Sequence, residues 1–134
     1  MVVDGNWTVE RHLAGKPAHI VDLYRQVIAL AEGCGPFTYR VTATAITLRG
    51  ERRGFAGLTP RQRVLSGYLD LQRRVEDDPR IGAVTPYTQR LFVHSYRIER
   101  PEQFDDGFAA LLAEAYAVGN GAHLRADGDR GGRS

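Results

Sequence analysis

Four histidines, one cysteine and a scatter of hydroxyls are the side chains of this chain with chemistry to offer, and their spacing limits what they can do. His12, His19, His94 and His123 form no His-x₃-His pair and stand beside no second cysteine, so a metal centre is not expected. His19 and Asp22 lie three apart on one helix and read as a surface pair. His12 and His94 are the candidates for a general base or an anion contact, weighed against a core or cap histidine that makes one hydrogen bond. The hydroxyls of Ser66, Tyr68 and Tyr96 have no recognisable base and orienting partner, and no Gly-x-Ser-x-Gly motif occurs. Gly50-Glu51-Arg52-Arg53-Gly54 lacks the lysine and the strand-to-helix context of a phosphate loop and reads as a hairpin turn. Cys34 sits between two glycines behind a helix C-terminus, where the dipole disfavours a thiolate.

The arginines give the sharper idea. Lys16 is the sole lysine among 18 basic residues, a bias that fits a GC-rich coding sequence, and 16 acidic residues leave a net charge of only +2. That balance alone does not argue for nucleic acid or an anionic membrane. In an antiparallel meander, however, the turn holding Arg49, Arg52 and Arg53 shares a sheet end with Arg73 and Arg74, roughly 20 Å from Arg61 and Arg63. Gathered there, guanidinium groups would grip a phosphate or carboxylate in bidentate fashion. Glu51, Glu76, Asp77 and Asp78 stand beside them, and a neutralised, solvated charge run is the leading alternative.

These residues must be positioned by two helices and a run of strands. Thr8 can cap a short first turn that Gly15 stops. Pro17 then opens a helix with Ile20, Leu23, Tyr24, Val27, Leu30 and Ala31 at three- and four-residue spacing, ending at Gly33-Cys34-Gly35-Pro36. From Phe37 the period becomes two, and a single strand is expected through Thr42, Thr44, Ile46 and Leu48. Further strands are expected over Arg53 to Leu58 and Arg63 to Leu71, with Thr59-Pro60-Arg61-Gln62 as the turn between them. Gln72 to Thr88 is polar and holds Pro79, Gly82 and Pro86, so it reads as a long loop, the most plausible functional or flexible one. A last strand runs from Gln89 to Ile98. Pro101 starts the second helix, whose stripe is Phe104, Phe108, Leu111, Leu112, Ala115 and Tyr116, with Gly119 as its stop.

The reading is therefore α+β: one two-layer domain over residues 1–119, an antiparallel meander of four to five strands packed by an N-terminal and a C-terminal amphipathic helix. Residues 120–134, with mixed charges and one leucine, read as a disordered tail. A chain of 134 residues can bury about two thirds of its unfolded surface without disulfides. No apolar run approaches the ~20 residues of a bilayer span. Neither a secretory leader nor a second cysteine is seen, and the cytoplasm is the expected compartment.

The ordered part also resembles a bacterial domain family of unknown function. The resemblance is carried by Thr8-Val9-Glu10-Arg11-His12-Leu13-Ala14-Gly15-Lys16-Pro17, Arg53-Gly54-Phe55-Ala56, Asp78-Pro79-Arg80, the strand His94 to Ile98, and Ala115-Tyr116. It implies a small cytoplasmic protein or an appendage to larger predicted nucleases and transporters, in a layout distantly similar to the YdhG-like proteins, a group with an iron-chaperone assignment. It spans roughly Trp7 to Gly119 and brings no activity with it. Some relatives carry a lysine beside the first strand's threonine; this chain has Ala43 or Ala45, so a role for that lysine does not carry over.

Two function classes follow. The first is a non-enzymatic module binding a small molecule or a protein partner, without a cofactor, through a sheet face with Tyr68, His94 and Tyr96, through the arginine end with Arg49, Arg53 and Arg73, or through an edge strand that also allows a homodimer. The second is a small enzyme using His94 with His12, Tyr68 or Tyr96. A weaker third is nucleic-acid binding through the arginine end, recognisable by a steep salt dependence.

Overall fold

The computed structural model describes residues 7–88, 90–122 and 124. Thr8 accepts a hydrogen bond from the Arg11 amide and caps α1 (Val9–Leu13), after which Gly15, at φ +77, turns the chain. The main helix α2 (Ala18–Cys34) follows Pro17 and buries Ile20, Leu23, Tyr24, Val27 and Ala31. The antiparallel sheet then holds β1 (Thr38–Val41), β2 (Ile46–Arg49), β3 (Gly54–Pro60), β4 (Leu65–Leu71), β5 (Ile81–Thr88) and β6 (Leu91–Ile98). A 3₁₀ turn (Pro101–Gln103) leads into α3 (Asp106–Gly119), which Asp105 caps by accepting from the Phe108 amide.

The sheet has six strands, in the order β1-β2-β3-β4-β6-β5, where four to five were expected. Two local causes account for the difference. The expected first strand folds into the β1–β2 hairpin because Thr42 bonds across the turn, its amide donating to Ala45 O at 3.0 Å, and no glycine or proline marks that turn. The expected loop 72–88 ends in a strand, β5, which pairs only with β6 and bulges between Ile81 and Val84 and again between Pro86 and Thr88. An edge strand tolerates Pro86 because its outer side needs no amide donor. The second helix likewise starts at Asp106 rather than Pro101, since Asp105 is the residue that caps it.

Cross-strand pairs share a face, so the register assigns every side chain. One face carries Ile46, Leu48, Ala56, Leu58, Leu65, Leu69, Leu71, His94, Tyr96 and Ile98, and with α2 and α3 it makes the core. The other face carries Arg40, Thr47, Arg49, Gly57, Thr59, Ser66, Tyr68, Asp70, Val93, Ser95 and Arg97. No helix among the described residues packs on that second face.

Of the expected tail, Asn120 and Gly121 belong to the fold: Asn120 Oδ1 accepts from the Glu51 amide at 2.9 Å, and Gly121 is buried. His123 and residues 125–134 lie outside the described residues, as do residues 1–6.

Candidate functional site

Tyr68 sits at the centre of the uncovered face. Its ring covers Gly57, where a Cβ would fall 2.0 Å from a ring carbon, so only glycine leaves the ring this seat. Its hydroxyl meets Thr47 Oγ1 at 3.4 Å. One row along, Asp70 is 3% exposed. The Arg53 guanidinium, held over the sheet by its own Nε bond to Gly54 O, donates to Asp70 Oδ2 at 2.6 Å. Asp70 Oδ1 is buried without a partner. Arg53 also lies 5.1 Å from the ring centre of Tyr87, whose side chain is held out on the edge strand at 62% exposure.

The electrostatics follow from this half-burial. Desolvation raises the Asp70 pKa, and the Arg53 ion pair only partly offsets it. The Tyr68 phenol is raised as well, chiefly by burial, with the Thr47 bond and the nearby charges of Asp70, Arg53 and Arg49 as smaller influences. Asp70 is the only acidic residue in any of the six strands, whereas the open face displays Arg40, Arg49 and Arg97 from the strands themselves. None of these three arginines is in an ion pair among the described residues. Arg61, in the turn after β3, reaches the same face, its Nε donating to Ser66 Oγ at 3.3 Å.

Of the six side chains expected to bind a ligand, the structure brings together Tyr68, Arg49 and Arg53, and sends His94, Tyr96 and Arg73 to the other side of the sheet. Tyr68 pairs with Ser95, and His94 with Leu69, so one residue of register separates them and the pleat places them on opposite faces. Tyr96 is fully buried, its hydroxyl donating to Gly57 O at 3.3 Å. The arginine end is divided in the same way, because Arg73 turns to α3 and forms a bidentate pair with Glu114, at 3.1 and 2.8 Å, while Arg74 pairs with Glu76. The expected five-arginine cluster at the sheet end is therefore not assembled.

Both candidate histidines hold structure together. His94 is fully buried; its Nδ1–H donates to Phe92 O at 3.0 Å and its Nε2 accepts the Val75 amide at 2.9 Å. Burial is the main reason its pKa is lowered. His12, 6% exposed under Trp7, donates from Nε2 to Thr42 O at 2.7 Å and so anchors the β1–β2 turn. Thr42 and Val75 lie at opposite ends of the sheet, so the two imidazoles share no site. Cys34 is half-buried, its thiol donates to Leu30 O, and burial raises its pKa. No group of three metal-ligating side chains occurs among the described residues, and no helix is long and apolar enough to cross a membrane.

A groove of about 410 Å³ lies between α3 and the segment after β4, lined by Arg73, Asp77, Asp78 and Leu111 among others. Two of its polar groups are already committed, Arg73 to Glu114 and Asp78 to Arg80. Arg80 grips both oxygens of Asp78 at 2.9 and 2.7 Å, and also donates to Gln103 O and Asp105 Oδ1 at 2.7 and 2.6 Å. Arg80 accordingly holds both carboxyls below their ordinary range.

Sequence reasoning missed Asp70, Thr47 and Tyr87. The two-residue spacing of Tyr68 and Asp70 was a usable signal, but Thr47 reaches Tyr68 only through the register of three strands. Tyr87 belonged to a segment that read as loop.

The described residues thus define a two-layer α+β domain with one sheet face covered by helices and no described helix on the other. Residues 9–119 match the model of a family described as Domain of unknown function (DUF5655), and the chain belongs to that family. No curated protein and no solved structure matches the chain.

Proposed function

We propose that the domain is a non-enzymatic binding module that takes an anionic ligand on its uncovered sheet face. One observation carries the reading. The strands of that face present Arg40, Arg49 and Arg97 against a single carboxylate, Asp70, which Arg53 already occupies. Four of the other acids stand on the helix side: Glu114 and Asp105 belong to α3 and its cap, and Asp77 and Asp78 line the groove beside it. A net charge of +2 is thus compatible with an excess of arginine among the strand residues of this face, and guanidinium groups grip oxyanions in bidentate fashion.

The test is the salt at which the full chain leaves a phosphocellulose column. Reversing Arg40 and Arg97 together to Glu should lower that salt markedly. Reversing the exposed Arg25 on α2 to Glu, together with Arg11→Glu on α1, makes the same change in net charge away from the face and should lower it far less. Equal shifts for the two double variants would show that only net charge matters and would remove the proposal.

A further inference from the structure

The charges of the open face do not converge. Arg40 lies on β1 and Arg97 on β6, four strand spacings apart in the sheet order, or roughly 19 Å at ~4.8 Å per strand. Arg49 on β2 stands one row from Arg40, on the side away from the row of Arg97. A small anion is best held by donors that meet at one point; donors spread over a face suit a ligand whose charges repeat. Between and beyond the arginines the face offers aromatic surface. Tyr68 lies half-buried at the centre, and Tyr87 projects from the edge strand with the Arg53 guanidinium 5.1 Å from its ring centre. Phosphates on arginines with bases on aromatic rings is the arrangement by which proteins hold single strands, since every base has a π-face and stacking rewards bases that are not already paired. Among the described residues no helix projects from this face to enter a duplex groove, and its β1 edge has only four residues.

Resting on the anion-binding reading above, we infer that the occupant of the open face is a single-stranded nucleic acid, its backbone running across the strands over Arg40, Arg49 and Arg97 and its bases stacking on Tyr68 and Tyr87. Sequence readout is not part of the proposal, because the stacking groups and guanidinium contacts described favour no base. Contact of about three phosphates, one per arginine, would make log K fall with log salt at a slope of about −2.

The experiment is fluorescence anisotropy of the full chain with labelled oligo(U) and oligo(dT) dodecamers, competed by unlabelled twelve-base-pair duplex or by inorganic polyphosphate of matched charge. Binding of the single strands with that salt slope, a loss of about tenfold in affinity for Tyr87→Ala, and weaker competition by duplex and polyphosphate than by unlabelled single strand are expected. Tyr87 is exposed, so its replacement leaves the fold intact, which a circular dichroism melt verifies. If polyphosphate competes as well as the single strand and Tyr87→Ala changes nothing, the face binds anions without regard to bases and the nucleic-acid inference is overturned while the anion-binding reading stands. If neither probe binds, both readings fail.

Discussion

Asp70 concentrates the chemistry of the open face in one residue. Its carboxylate is 3% exposed, one oxygen is held by Arg53 at 2.6 Å and the other has no partner. Burial raises its pKa from the ordinary 3.8, so the folded state holds the Asp70 proton more tightly than the unfolded chain does. Between the ordinary value and the raised one the folded protein carries more protons, and this contribution to stability is present at low pH and lost as pH rises through that window. Each tenfold gain in proton affinity corresponds to about 1.4 kcal/mol. Urea titrations of wild type and Asp70→Asn across pH 3 to 7 should therefore show the wild type losing stability relative to the variant as pH rises. Parallel curves would mean that Asp70 titrates in the folded state as it does in the unfolded one.

At the scale of elements, four attachments hold the turns and the segment after β4 in place. His12 pins the β1–β2 turn from α1. The C-terminus of α3 pins the β2–β3 turn: Gly119 O accepts from the amides of Arg52 and Arg53 at 2.8 and 3.2 Å, and a Cβ on Gly50 would fall 2.6 Å from the Gly119 backbone. That approach fixes the backbone from which Arg53 reaches Asp70. His94 pins the segment after β4 through Val75, and Arg80 fastens its far end to the cap of α3. His94→Ala removes a buried ring and leaves the Val75 amide unpaired, a loss of about 2–4 kcal/mol. Its melting temperature should drop and the Val75 amide should exchange faster with solvent, while oligonucleotide affinity measured well below the melt should hold. Affinity lost without a change in stability would instead put His94 in the site. Gly57→Ala acts on the other face, where the added methyl must displace the Tyr68 ring.

On the scale of the whole molecule, one contiguous core joins α2, α3 and the inner sheet face, from Ile20 and Val27 through Leu48 and Phe55 to Tyr96 and Leu112. Trp7 packs against its margin and lies tilted against His12, with ring centres 4.9 Å apart. With a single core and no second unit among the described residues, tryptophan fluorescence and far-ultraviolet circular dichroism should report one coincident thermal transition. An earlier fluorescence transition would show that α1 detaches before the sheet melts. The same two-layer plan divides the charges: the acids of α3 and its neighbouring loop lie on the helix side, while Arg40, Arg49 and Arg97 stand on the other face with Asp70 as the one strand carboxylate.

The sequence by itself determined the α+β class, the buried stripes of α2 and α3, the Thr8 cap and the presence of strands, because these depend on local periodicity and on caps within a few residues of one another. It also made Tyr68, Arg49 and Arg53 candidates by residue type. The tertiary structure decided the rest. The turn at Thr42 has no glycine or proline and left the alternation unbroken, so the first hairpin read as one strand. β5, with two bulges and Pro86, has too irregular a period to stand out from a loop, and only its pairing with β6 makes it a strand. Whether Tyr68 and His94 share a site turns on a register offset of one residue between β4 and β6, and whether Arg53 and Arg73 form a patch turns on which carboxylate each meets, Asp70 across the sheet or Glu114 on a helix 41 positions further along the chain. Such pairings join residues distant in sequence, and the long-range packing of the sheet against its helices is what selects them.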